Sequence, residues 1–102
     1  MLNKNKGANM LKTITTKDEA KALTLKVAQK YVGGYVEGVT FPNNDYLIIN
    51  EEGKLKNLPL NKEATELWRK HFTKETHIFG YDDFVVGNAI VIKSEARTSG
   101  GW

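Results

Sequence analysis

The nine-residue run Phe84–Ile92, F-V-V-G-N-A-I-V-I, constrains this fold more than any other stretch of the chain. A strand with one wet face alternates apolar and polar residues, whereas a run that is apolar almost throughout has no face to give to water. It is predicted to be a central strand covered on both sides. Gly87-Asn88 is the expected bend within it.

Shorter signals frame that strand. Leu11–Thr15 alternates apolar and polar residues, which predicts a short strand. Thr16-Lys17-Asp18-Glu19 has the T-x-x-E spacing of a capping box, so a helix is expected to follow. Its apolar stripe is Ala20, Leu23, Val27 and Tyr31, spaced by three and four. Gly33 or Gly34 is then expected at positive φ, closing the helix without a Cβ clash. A phosphate-binding loop would place its glycines after a strand and before a helix. Here the order is reversed, which argues against that function.

Tyr35–Phe41 reads as the next strand, with Gly38 at a bulge or a point of close packing. The turn cluster Pro42-Asn43-Asn44-Asp45 leads to Y-L-I-I-N, Tyr46–Asn50, which should pair antiparallel with it. Glu51-Glu52-Gly53 predicts a tight turn into an extended piece kept at an edge by Pro59. Asn61 is placed to cap a second helix from Lys62 to about Phe72. Ala64, Leu67, Trp68, His71 and Phe72 make its buried stripe, with Trp68 in the core. Thr73–Asp83 reads as a loop.

The order β-α-β-β-α-β predicts an α+β fold, a mainly antiparallel four-stranded sheet with two helices on one face. A curled half-barrel with two helices is the alternative. Residues 1–9 read as a flexible basic arm, 10–94 as one domain, and 95–102 as a polar tail ending in Trp102. A chain of 102 residues can build one modest core.

Cysteine is absent, which removes disulfides and thiolate chemistry. No apolar run is long enough to cross a bilayer, and the N-terminal stretch lacks the apolar centre of a signal peptide. A cytoplasmic setting and no membrane partner are therefore expected. Residues 1–30 carry seven lysines against Asp18 and Glu19. Nucleic acid is one partner for such a field. The segment lacks the arginines and aromatics that usually accompany one, so a solvated helix face is favoured.

Catalytic constellations are sparse. His71 and His77 with Asp82 and Asp83 make a conceivable metal set, but His71 shares its helix stripe with Leu67 and Trp68, which favours a half-buried packing role. Glu37 with Glu51 or Glu52 could form a carboxylate pair, although the latter two sit in a turn. No catalytic residue, metal or cofactor is expected. Tyr35, Glu37, Tyr46 and Trp102 are the candidate binding residues, because aromatic side chains dominate interface energetics.

Four motifs occur in series: V-G-G-Y-V-E (Val32–Glu37), N-E-E-G-K (Asn50–Lys54), L-P-L-N-K-E-A-T (Leu58–Thr65) and V-V-G-N-A-I-V-I (Val85–Ile92). Together, over roughly Leu11 to Lys93, they resemble a small domain-of-unknown-function family of phages and bacterial mobile elements. The resemblance implies a genomic setting and no established activity. The lysine-rich arm and the Gly-Gly-Trp end lie outside its pattern. A non-catalytic binding or accessory protein of the bacterial host cytoplasm is thus expected, taking a host protein or a small ligand. Self-association through a sheet edge or the tails, as a homodimer or higher homo-oligomer, is expected as well. The alternative is a nucleic-acid-associated protein using the lysine-rich N-terminal segment.

Overall fold

The computed structural model of the protein describes residues 9–73 and 82–102. The predicted basic arm lies almost wholly outside these residues, as does most of the predicted Thr73–Asp83 loop, including His77. The described elements are β1 (Leu11–Ile14), α1 (Lys17–Ala22), α2 (Leu25–Val32), β2 (Val36–Thr40), β3 (Tyr46–Asn50), α3 (Lys62–His71) and β4 (Ala89–Ile92), followed by a 3-10 turn at Ser94–Ala96.

The class is α+β with an open four-stranded sheet, ordered β1-β4-β3-β2. The expected hairpin is present: β2 and β3 pair antiparallel with Gly38 opposite Ile48. β3 and β4 are also antiparallel, but β1 and β4 run parallel, Leu11 opposite Ala89. The sheet is therefore mixed, and it is not a curled half-barrel.

The helices do not share one face, which corrects the prediction. Ile48, Ile90 and Ile92 pack with Ala20, Leu23, Ala28 and Val32 from the α1–α2 side. Leu47, Ala89 and Val91 pack on the other side with Ala64 of α3 and with Phe41 and Val85. All four residues of β4 are buried. A strand with two apolar faces requires a layer on each, so the Phe84–Ile92 pattern itself demands helices on both sides.

The single predicted first helix is two. α1 stops at Ala22, and Thr24 starts α2 by accepting the Val27 N–H at 3.1 Å. A threonine hydroxyl competes well for an orphan helix N–H, so a mid-helix threonine can become a cap. The break turns α2 so that Ala28 and Val32 are buried, while Val27 is 49% exposed. The capping box ahead of α1 is present in full, and Gly33 closes α2 at φ 86°.

The turn predicted at Glu51–Gly53 forms but runs on through Asn57, so the predicted extended piece Lys54–Leu60 is not extended over its first half. Among the described residues of that piece, Leu60 makes a strand-like bridge, to Val86. Gly87 bends the chain at φ 79° before β4 begins. Asn61 does more than cap α3. Fully buried, it accepts the Ala64 N–H at 3.0 Å and donates to the Gly87 carbonyl at 2.8 Å and the Met10 carbonyl at 3.1 Å. One side chain thereby ties α3 to the bend before β4 and to the start of β1.

Candidate functional site

On the α3 side, where the 51–57 turns meet the segment entering β4, lies a cleft of about 170 Å³. Its apolar walls are Val39 and Ile49 from the hairpin, Trp68 from α3, and Phe84. Its charged groups are Glu37, Glu51, Lys54 and Asp83. Each arrives for a local reason. Alternation along β2 sends Glu37 and Val39 to the same face, and continuing the register past Asn50 brings Glu51 to that face too, its N–H donating to the Tyr35 carbonyl at 2.8 Å.

The 51–57 turns are held by Asn50, whose side chain accepts the Glu52 N–H at 2.8 Å and donates to the Val32 carbonyl at 3.0 Å. Asn57 takes positive φ at 61° to complete them, a conformation that asparagine tolerates well. This compact path delivers Lys54 to the cleft, where its ammonium pairs with Asp83 and stands 4.5 Å from the centre of the Phe84 ring. Arg69 of α3 donates to the Asp83 and Asp82 carbonyls at 3.3 and 3.2 Å, which anchors the opposite wall.

Burial pushes the Asp83 carboxyl up, but hydrogen bonds from Lys54 and the Phe84 N–H, with the charges of Lys54 and Arg69, outweigh it. The group is held below its ordinary range and stays a carboxylate. Among the described residues, Glu37 and Glu51 have no ion-pair partner. The cleft therefore offers two unpaired carboxylates beside an aromatic wall, an arrangement suited to a cation with an apolar stem.

The four predicted binding residues do not form one site: Tyr46 and Trp102 meet, but apart from Glu37 and Tyr35. Glu37 lines the cleft, while Tyr35 stands 68% exposed just before β2. Tyr46 lies on the opposite sheet face, its ring centre 6.3 Å from that of Trp102. Trp102 rests on its own domain and donates through Nε1 to the Leu23 carbonyl at 2.6 Å. Arg97 clamps this corner: it sits 4.6 Å above the Tyr46 ring and donates to the Trp102 carbonyl at 2.5 Å and to Asn44 Oδ1 at 3.0 Å. Nothing in the sequence singles out Lys54 or Phe84 for the site; Asp83 enters there only as part of the His/Asp metal set, and Trp68 only as core. Trp68 does pack on the core, edge-on to Phe41 and Phe72, but it also walls the cleft.

His71 has the packing role expected of it, half-buried and stacked on Phe41 with ring centres 4.4 Å apart. Among the described residues, no cluster of three histidine, aspartate or glutamate side chains is placed to hold a metal ion. No described helix is long and apolar enough to cross a membrane.

Comparison with curated proteins and with solved structures returns no match. A family match does exist and is wider than the four motifs, since it takes in Lys6 at one end and Ser94–Gly100 at the other. Residues 5–100 match the family described as Domain of unknown function (DUF3846), and the chain belongs to it.

Proposed function

We propose that this protein is a non-catalytic binding module of phage or mobile-element type, working in the bacterial cytoplasm, whose cleft holds a basic side chain of a partner protein. The observation that carries this reading is the pairing of two unpartnered carboxylates, Glu37 and Glu51, with the Trp68 wall, across the cleft from Phe84 and its own Lys54 cation. At about 170 Å³ the cleft is smaller than typical pockets for drug-sized ligands, and it suits one anchoring side chain better than a cofactor. Its chemistry favours recognition over proton transfer: Asp83 is held ionised by Lys54, away from the near-neutral range in which a general acid or base works best.

N-acetyl-arginine amide, titrated at millimolar concentration, is the direct probe. The expected result is that the Trp68 indole N–H and the Val39 and Phe84 amides shift in NMR spectra, with binding weakened about fivefold or more in Glu37→Gln. Shifts that avoid the cleft, or binding unchanged in Glu37→Gln, would reject the reading. Self-association remains part of the proposal, supported by the open β2 edge of the sheet. Light scattering that reports only monomer at tens of micromolar would remove it.

A further inference from the structure

Among the described residues, β1 is an edge strand that pairs with β4 alone. The Met10 and Ile14 carbonyls accept from Ala89 and Lys93 at 3.0 and 2.9 Å. In a parallel ladder alternate residues bond to the same neighbour, so Lys12 also faces β4. The N–H and C=O groups of Leu11 and Thr13 therefore point out of the sheet. Glu19 closes the far end of this window by taking the Thr15 N–H at 3.0 Å.

Beside the window, on the α1–α2 side, lie two adjoining hollows of about 400 and 280 Å³ that share Lys12, Leu23 and Val27. Ile14 and Tyr31 extend the walls, and Lys30 stands at the rim. The exposed face of Val27 belongs to this groove. Glu19 also lines the second hollow, its carboxylate held by the Thr15 and Thr16 N–H groups, but residues 9–32 carry five lysines against Asp18 and Glu19, a balance of +3. The field over the groove is positive.

We propose that the β1 edge and this groove take an extended acidic peptide of a partner protein, added as a fifth strand. Its backbone pairs with Leu11 and Thr13, apolar side chains enter the groove, and flanking carboxylates meet Lys12 and Lys30. Charge complementarity selects this occupant. A second copy pairing β1 with β1 would bring the two Lys12 side chains together, and the chain's own residues 1–8 carry Lys4 and Lys6 with no acid. This site lies at the sheet edge remote from β2, so it stands or falls independently of the cleft.

The probe is the capped peptide Glu-Thr-Val-Thr-Ile-Thr-Glu, with a control carrying lysine in place of both glutamates. The acidic peptide should shift the Leu11 and Thr13 amides and slow their exchange, and added salt should weaken it. Thr13→Pro removes an outward N–H without breaking the ladder to β4, and should cut affinity about tenfold. The double variant Lys12→Glu/Lys30→Glu should do the same through charge, and supplies the test if the proline variant does not fold. Equal binding of the lysine control, unchanged affinity in the folded variants, or shifts centred elsewhere would overturn the proposal. So would concentration-dependent shifts of the Leu11 and Thr13 amides without peptide, which would identify the occupant as a second copy.

Discussion

The hydroxyl of Tyr46 fills the space above Gly38: a Cβ built on that glycine would stand 1.8 Å from the phenol oxygen and 2.2 Å from the ring. Gly38 lies on the edge strand β2, diagonal to Tyr46 on β3. The absent side chain is replaced by an aromatic ring from the neighbouring strand, a known way to cover glycine at a sheet edge.

Gly38→Ala should therefore displace Tyr46 and cost about 1–3 kcal/mol by overpacking. The same change in a Tyr46→Ala background should cost much less, because the clashing group is gone. Urea denaturation of the four proteins measures the coupling. Additive effects would show that the ring and the glycine are independent.

Trp102 and Leu23 give a second prediction. The carbonyl accepting the indole N–H belongs to the residue at the α1–α2 break, where the helical ladder leaves an acceptor open. Trp102→Phe keeps most of the ring contact with Tyr46 but loses the donor, and should cost about 1 kcal/mol. Trp102→Ala loses both and should cost about 2 kcal/mol, discounted from full burial because the ring is half-exposed. Thermal melts and the Tyr31 and Tyr46 ring resonances separate the two effects: only those of Tyr46 should move.

Acid sensitivity should centre on Asp45, which is 1% exposed. Burial raises its affinity for a proton, but Lys93 at 2.8 Å, the Ser94 N–H at 2.7 Å and Asn43 at 3.0 Å outweigh that and lower its pKa. The folded state then binds fewer protons than the unfolded state near pH 4. Stability is fully present above the unfolded value, near 3.8, and is lost as pH falls through the lower folded value. Asp45→Ala should remove that loss and cost about 2–3 kcal/mol at neutral pH by leaving Lys93 and the Ser94 N–H without their acceptor. Urea midpoints measured from pH 7 to pH 2 check both statements.

His71 should add a separate step. Burial against Phe41 lowers its pKa below the ordinary value of 6.5, so the unfolded chain protonates first as the solution is acidified. Stability should begin to fall as pH drops through about 6.5, well before Asp45 responds. His71→Phe keeps a ring on Phe41 and should flatten this step. A step of unchanged size in that variant would assign it to another group.

Much of the local structure was legible in the residues themselves. Strand β3 has the predicted bounds Tyr46–Asn50, the Thr16–Glu19 capping box forms, Asn61 caps α3, and Gly33 takes the left-handed turn. These features depend on hydrogen bonds and dihedral preferences within a few residues, so the local code suffices. Of the predicted Phe84–Ile92 strand only Ala89–Ile92 forms, buried on both faces as the apolar run implies, because the bend at Gly87 cuts the run and leaves Phe84 43% exposed.

Tertiary structure alone decided the rest. Whether β1 pairs beside β4 or elsewhere depends on which edge lets its Leu11 and Ile14 faces meet the two cores, a long-range choice that alternation does not encode. The break at Leu23–Thr24 becomes worthwhile once Ala28 and Val32 can face the sheet and Trp102 supplies a donor to Leu23. The cleft likewise gathers Glu37, Lys54, Trp68 and Asp83 from separate elements. Periodicity identifies which residues seek burial, but only the closed fold determines which polar groups remain around the space left between them.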